Sequence, residues 1–104
     1  MNISYYFKNL TDAEKDAVSS HFEGKKLPRL QKLLQRIPQE DRSLDVTVEK
    51  SVTSHRFIIT FRLHVPKDEV YISDEHHELQ EAIDLSFDIF LNKVRNIHDI
   101  KTDH

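Results

Sequence analysis

Hydrophobic and polar positions along this chain recur with two periods, and the changes between them mark the elements. Ile3, Tyr5 and Phe7 alternate with Asn2, Ser4, Tyr6 and Lys8, the period of a short strand with one buried face. Thr11 with Glu14 fits a capping box, so a helix is expected from about Asp12, with Ala13, Ala17, Val18 and Phe22 as its apolar stripe. Gly24 interrupts that stripe, and Pro28 disfavours helical geometry in the residue before it. A break or kink is therefore expected near Gly24–Leu27. A helical segment through Leu30, Leu33, Leu34 and Ile37 follows, closed by Pro38, and Gln39–Ser43 reads as a polar connection. Leu44, Val46 and Val48 alternate with Asp45, Thr47 and Glu49 in a second strand, and Ser51–Arg56 is a polar turn. Phe57, Ile59, Phe61, Leu63 and Val65 form the longest alternating run, with Thr60, Arg62 and His64 on the opposite side. Pro66-Lys67-Asp68 is a turn, and Val70 and Ile72 make a fourth strand.

Residues 76–97 switch to the helical period. Leu79, Ala82, Ile83, Phe87, Phe90, Val94 and Ile97 recur at steps of three and four, whereas Glu81, Asp84, Asp88, Asn92 and Arg95 fall away from them. Acids in the early turns and Lys93 and Arg95 in the late ones suit the helix dipole, and Ser73 and Asp74 are both possible caps. Leu85 and Ile89 sit on the flank, either packed on the first helix, exposed, or part of a small self-association patch. The order strand, helix, three strands, helix predicts a two-layer α+β domain. Its four-stranded mixed sheet should be greasy on one face and open on the other, with both helices on the greasy face. The second to fourth strands should be antiparallel neighbours, and the first parallel to the second across its helical crossover.

With 104 residues, one domain over 1–97 and a frayed tail over 98–104 are expected. No apolar run approaches membrane length and the start lacks a signal-peptide core, so a soluble, cytoplasmic protein is the expectation. The absence of cysteine excludes disulfide and thiol chemistry, and a single glycine excludes a Gly-rich phosphate loop. No triad-like motif surrounds any serine, and the acids of the long helix are spaced as a solvated face. His76 and His77 with Asp74, Glu75 and Glu78 are the densest set of metal-type ligands. Adjacent helical residues point about 100° apart, so the pair reads as surface histidines at a helix start. No enzyme, metal or cofactor is expected.

Charge changes the picture locally. Lys25, Lys26, Arg29, Lys32 and Arg36 fall in residues 24–39 without an acid, a local charge of +5. Residues 68–88 carry Asp68, Glu69, Asp74, Glu75, Glu78, Glu81, Asp84 and Asp88 without Lys or Arg, a local charge of −8. The expectation is a positive pole and a negative pole, read either as an uneven solvated surface or as a basic patch for a polyanion. The open sheet face, with Tyr6, Lys8, Thr47, Ile58, Thr60, Arg62, His64 and Tyr71, mixes aromatic and basic residues as nucleic-acid surfaces do, and as ordinary exposed sheets also do.

Val48-Glu49-Lys50, Leu63-His64-Val65-Pro66 and Ala82-Ile83-Asp84 with Phe87-Asp88 occur in the order and near the spacing of the ribosome hibernation-promoting factor family. That family is also described as ribosome-associated inhibitors or sigma-54 modulation proteins. His77-Glu78-Leu79-Gln80-Glu81-Ala82-Ile83-Asp84 is similar to the start of its second helix, and the resemblance covers about residues 2–97. It implies a β-α-β-β-β-α fold like a double-stranded-RNA-binding domain. It also implies a non-enzymatic translation inhibitor that occupies the decoding-region channel of the small ribosomal subunit in stress or stationary phase. The family's longer members add a C-terminal domain, so a chain ending at residue 104 resembles a short form. The partners implied are the small subunit and its rRNA, with no membrane and no small-molecule substrate, and the state expected is a monomer. The family's contacts come from basic residues on both helices, which implies RNA binding by Lys25, Lys26, Arg29, Lys32, Arg36, Lys93 and Arg95. The chain departs from the family at Ile89, Asn92 and Asn96, where basic residues are usual, and at Lys67-Asp68, where glycine often follows the Leu-His-Val-Pro run. The alternative expectation is a diverged protein–protein adaptor using the acidic second helix.

Overall fold

The structure, a computed structural model, describes residues 1–97. Strand β1 (Asn2–Lys8) leads into helix α1 (Asp12–His21), a π-helical turn (Phe22–Lys26) and helix α2 (Leu27–Leu33). A 3₁₀ turn (Gln39–Asp41) precedes β2 (Ser43–Lys50), β3 (Phe57–Val65) and β4 (Asp68–His76), and helix α3 (Leu79–Val94) follows. The strands lie in the order β1-β2-β3-β4 in one four-stranded sheet. β1 is parallel to β2, and the other neighbours are antiparallel, as the alternation and connection lengths predict. The tail expected over 98–104 lies outside the described residues.

Period-2 alternation turns one face of every strand inward. Val46, Phe61 and Ile72 share one cross-strand row and Leu44, Leu63 and Val70 the next, and all six are buried. The helices cover this face. Phe61 stacks on Phe90 with centroids 5.1 Å apart and on Phe22 at 5.6 Å, and meets Phe87 edge-on at 6.1 Å. Each such aromatic contributes about 1.5–3 kcal/mol by leaving water. This cluster ties both helices to the middle of the sheet. The capping box at the start of α1 forms as expected. The Glu14 amide donates to Thr11 Oγ1 at 3.1 Å, and the Thr11 amide donates to Glu14 Oε1 at 2.9 Å.

Three boundaries differ from the sequence reading. The break expected at Gly24–Leu27 is a continuous π turn, in which the Leu27 amide donates to the Phe22 carbonyl five residues back. An α-helix would turn Phe22 and Leu30 about 80° apart. The residue absorbed by the π turn restores them to one face, and both are buried. Pro28 falls in the first turn of α2, directly after the π turn, where it has no N–H to bond back to the preceding turn. The second helical segment ends at Leu33 rather than continuing to Ile37, although Leu34 and Ile37 stay in the core.

The long helix starts at Leu79, not at residue 76, and ends at Val94. Ser73 and Asp74 are strand residues instead of caps, because the nine residues of β3 pair with β4 as far as Phe57 opposite His76. His76 is consequently not a surface histidine at a helix start. It is half-buried at the end of β4, with Nε2 2.8 Å from Asp74 Oδ2. Burial works against the Asp74 charge, but the His76 hydrogen bond and the Glu75 amide prevail and hold its carboxyl below the usual range.

Candidate nucleic-acid interface

The basic residues come from the π turn and α2, whose inner sides are pinned by Phe22, Leu30 and Leu34. Those anchors orient the cations. Arg29 holds its guanidinium 5.5 Å above the Phe87 ring. Arg29 and Lys32 then line a groove of about 360 Å³ with Arg95 of the α3 C-terminal end, over Leu33, Gln35 and Leu91. Arg95 is steadied by donating from Nη1 to Asn92 Oδ1 at 3.0 Å. Residues 29 and 95 are far apart in sequence, and the α2–α3 packing makes them one surface.

The two charge blocks meet along α3. Acids from α3 face the basic segment. Asp84 Oδ1 lies 2.9 Å from Lys26 Nζ and 2.7 Å from His21 Nε2. The Lys26 and His21 side chains are only 13% and 17% exposed, so this cluster is part of the joint between the helices. Burial pushes the Asp84 carboxyl up, but the His21 and Lys26 hydrogen bonds outweigh it and hold the group below the usual carboxylate range. Asp88 Oδ1 sits 3.9 Å from Arg29 Nη1, in a looser and more exposed pair.

Two solved structures share this architecture. The N-terminal domain of Protein Y from Thermus thermophilus superimposes with a TM-score of 0.65 at 26% identity, covering 91% of this chain and 97% of that chain. A ribosomal subunit interface protein from Coxiella burnetii superimposes with a TM-score of 0.55 at 12% identity, covering 91% of this chain and 96% of that one, a likeness of fold. No family model matches the sequence, and no curated protein matches it. The chain carries the fold of the ribosome hibernation-promoting factor family. The neighbours support the family resemblance read from the three motifs.

Within this hibernation-family fold the expected basic set divides. Arg29, Lys32 and Arg95 share the groove. Lys25 is exposed on the π turn, and Arg36 is exposed in the turn after α2. Lys26 points inward to Asp84. Lys93 is on the other flank of α3, where it donates to the Tyr71 carbonyl at 3.2 Å and shares a hollow with Asp68 and Glu69. Ile89, Asn92 and Asn96, the departures from the family, are all exposed. Leu85 is exposed too, one turn before Ile89 on the same flank.

The sequence reading passed over Leu91, which lies off the expected stripe yet is buried and lines the groove. Its place four residues after Phe87 and three before Val94 is the signal in the sequence. It also passed over Arg42, which is buried, with Nε and Nη1 lacking a hydrogen-bond partner among the described residues. Glu40 and Asp41 line the same hollow as Arg42, which makes it a poor site for an anion.

The open sheet face has the composition expected of it, but its charges are paired across strands. Lys8 meets Glu49 at 3.7 Å, Arg62 meets Glu69 at 3.6 Å, and Arg56 meets Glu75 at 3.1 Å. Tyr6 and Tyr71 border a shallow depression of about 270 Å³ floored by Thr47 and Thr60. Among the described residues no group of His, Asp and Glu could hold a metal ion, and no helix is long and apolar enough to cross a membrane.

Proposed function

We propose that this protein is a ribosome-binding translation inhibitor, a hibernation factor of the cytoplasm that occupies the decoding-region channel of the small ribosomal subunit in stress or stationary phase. The observation that carries the reading is the likeness to the Protein Y N-terminal domain over 91% of the chain. The groove supports it. Three cations over an apolar floor suit a phosphate backbone read by shape, and no reacting group is needed because occupancy alone obstructs the channel. Arg29, Lys32 and Arg95 make the main phosphate contacts, with Lys25 and Arg36 extending them along the basic segment. Lys93 serves the opposite flank, and Lys26 positions the helix pair. The protein acts as a monomer on rRNA. Co-sedimentation with purified small subunits at two salt concentrations tests this. Binding in low salt that is lost as salt rises is the expected result, and no binding in low salt overturns it.

A second reading has its own observation. Leu85 and Ile89 are 45% and 46% exposed one turn apart on α3, a surface that suits a protein contact. A partner retained after nuclease treatment, with no ribosome binding, would favour an adaptor instead.

A further inference from the structure

We propose that Asp88 is a built-in competitor for the groove's cations, an internal carboxylate that an incoming phosphate must displace and that thereby limits how tightly the groove holds RNA. This rests on the RNA-binding reading above and adds to it a residue that weakens binding.

Helix α3 turns two acids toward the basic segment. Asp84 is clamped by two side chains that are almost out of water, so it is structural. Asp88 is one turn further along. It stands on the same stripe as Leu91 and Arg95, at steps of three and seven, and its carboxylate meets the groove through Arg29. Its partner Arg29 is 49% exposed and Asp88 itself 59%, so nothing in the core needs the pair. Arg29 also has an independent support in the Phe87 ring 5.5 Å away. Without the carboxylate, Arg29 would keep its place and lose only its neutralising neighbour.

A phosphate that reaches Arg29 therefore exchanges one anion for another. The cation is already partly neutralised by its neighbour, so that contact releases fewer counterions than a free arginine would. Two other acids of the early part of α3, Glu78 and Glu81, are exposed and stand further from the groove along the helix. They act on RNA only through the general field, which salt screens over about 10 Å.

The test compares Asp88→Asn with Glu78→Gln, which removes the same charge about 15 Å away along the helix. Binding is measured for purified small ribosomal subunits and, separately, for a short RNA duplex, each at two salt concentrations. Asp88→Asn is expected to bind about two- to fivefold tighter than the unmodified chain in low salt. Its log–log salt slope should steepen by a fraction of the roughly 0.9 that one fully freed cation would add. Glu78→Gln should gain less on both counts, and the melting midpoint of Asp88→Asn should be unchanged. An Asp88→Asn chain that binds the duplex no better than Glu78→Gln overturns the competitor role. If subunits fail to bind any of the chains while Asp88→Asn still exceeds Glu78→Gln on the duplex, the ribosome reading falls and the competitor role stands.

Discussion

The two sides of the sheet carry similar residue types and differ in how their charges are arranged. On the open face each basic strand residue has a carboxylate on the neighbouring strand, as with Lys8 and Glu49 or Arg62 and Glu69. Register imposes that pairing: Lys8 lies directly opposite Glu49, and Glu69, opposite His64, is the diagonal neighbour of Arg62. On the helix side the cations of α2 and the end of α3 meet across a groove, and of these three Arg29 alone has a carboxylate at hand among the described residues. A basic residue is available to a polyanion according to its neighbours in space, and composition alone does not separate these faces. The aromatic side chains follow the same rule. Tyr71 on the open face already carries the Arg62 guanidinium 5.0 Å above its ring.

The largest effect should come from removing one side of this contrast. Changing Arg29, Lys32 and Arg95 together to Ala is expected to lower the salt slope for small-subunit binding by about 2–3 and the low-salt affinity by about two orders of magnitude. Lys8→Ala with Arg62→Ala on the open face should stay within about twofold, since those cations are already paired. Equal losses from the two variants, read by co-sedimentation across a salt series, would erase the distinction between the faces.

A smaller effect sharpens the division between structural and competing acids. Asp84→Asn should destabilise the fold by about 1 kcal/mol, measured by denaturant unfolding, because Lys26 and His21 keep only a neutral amide oxygen in place of the carboxylate charge they share. The folded-state value of Asp84 is lowered, so its contribution is complete above the unfolded carboxylate value of about 3.9 and disappears as pH falls through the lower folded value. Stability of the unmodified chain should therefore decline with acid in that window, and Asp84→Asn should show a shallower decline. Equal acid profiles would remove Asp84 from the joint.

The smallest effect concerns Lys67, which departs from the family's frequent glycine. Lys67 follows Pro66 in the β3–β4 turn with φ 70°, the left-handed region that favours glycine. Lys67→Gly should stabilise the protein by about 0.5 kcal/mol, the relief of that conformation less the greater freedom of glycine in the unfolded chain. Thermal melting checks the gain, and RNA binding should not change because Lys67 lies outside the groove.

Local pattern by itself determined the element types, the buried face of each strand, the helix stripe from Ala82 to Val94, and the parallel and antiparallel pairings. Those properties follow from periodicity and connection length, which are written along the chain. Tertiary structure decided the rest. The π turn exists because Phe22 and Leu30 must face one core, and β4 continues to His76 because β3 offers partners that far. It also decided that Arg29, Lys32 and Arg95 share a groove while Lys26 and Lys93 turn elsewhere. Linear charge blocks record how many cations a segment holds. Which of them stay open to an anion depends on side chains brought close from distant parts of the chain, and at a few ångströms those neighbours dominate the Coulomb energy.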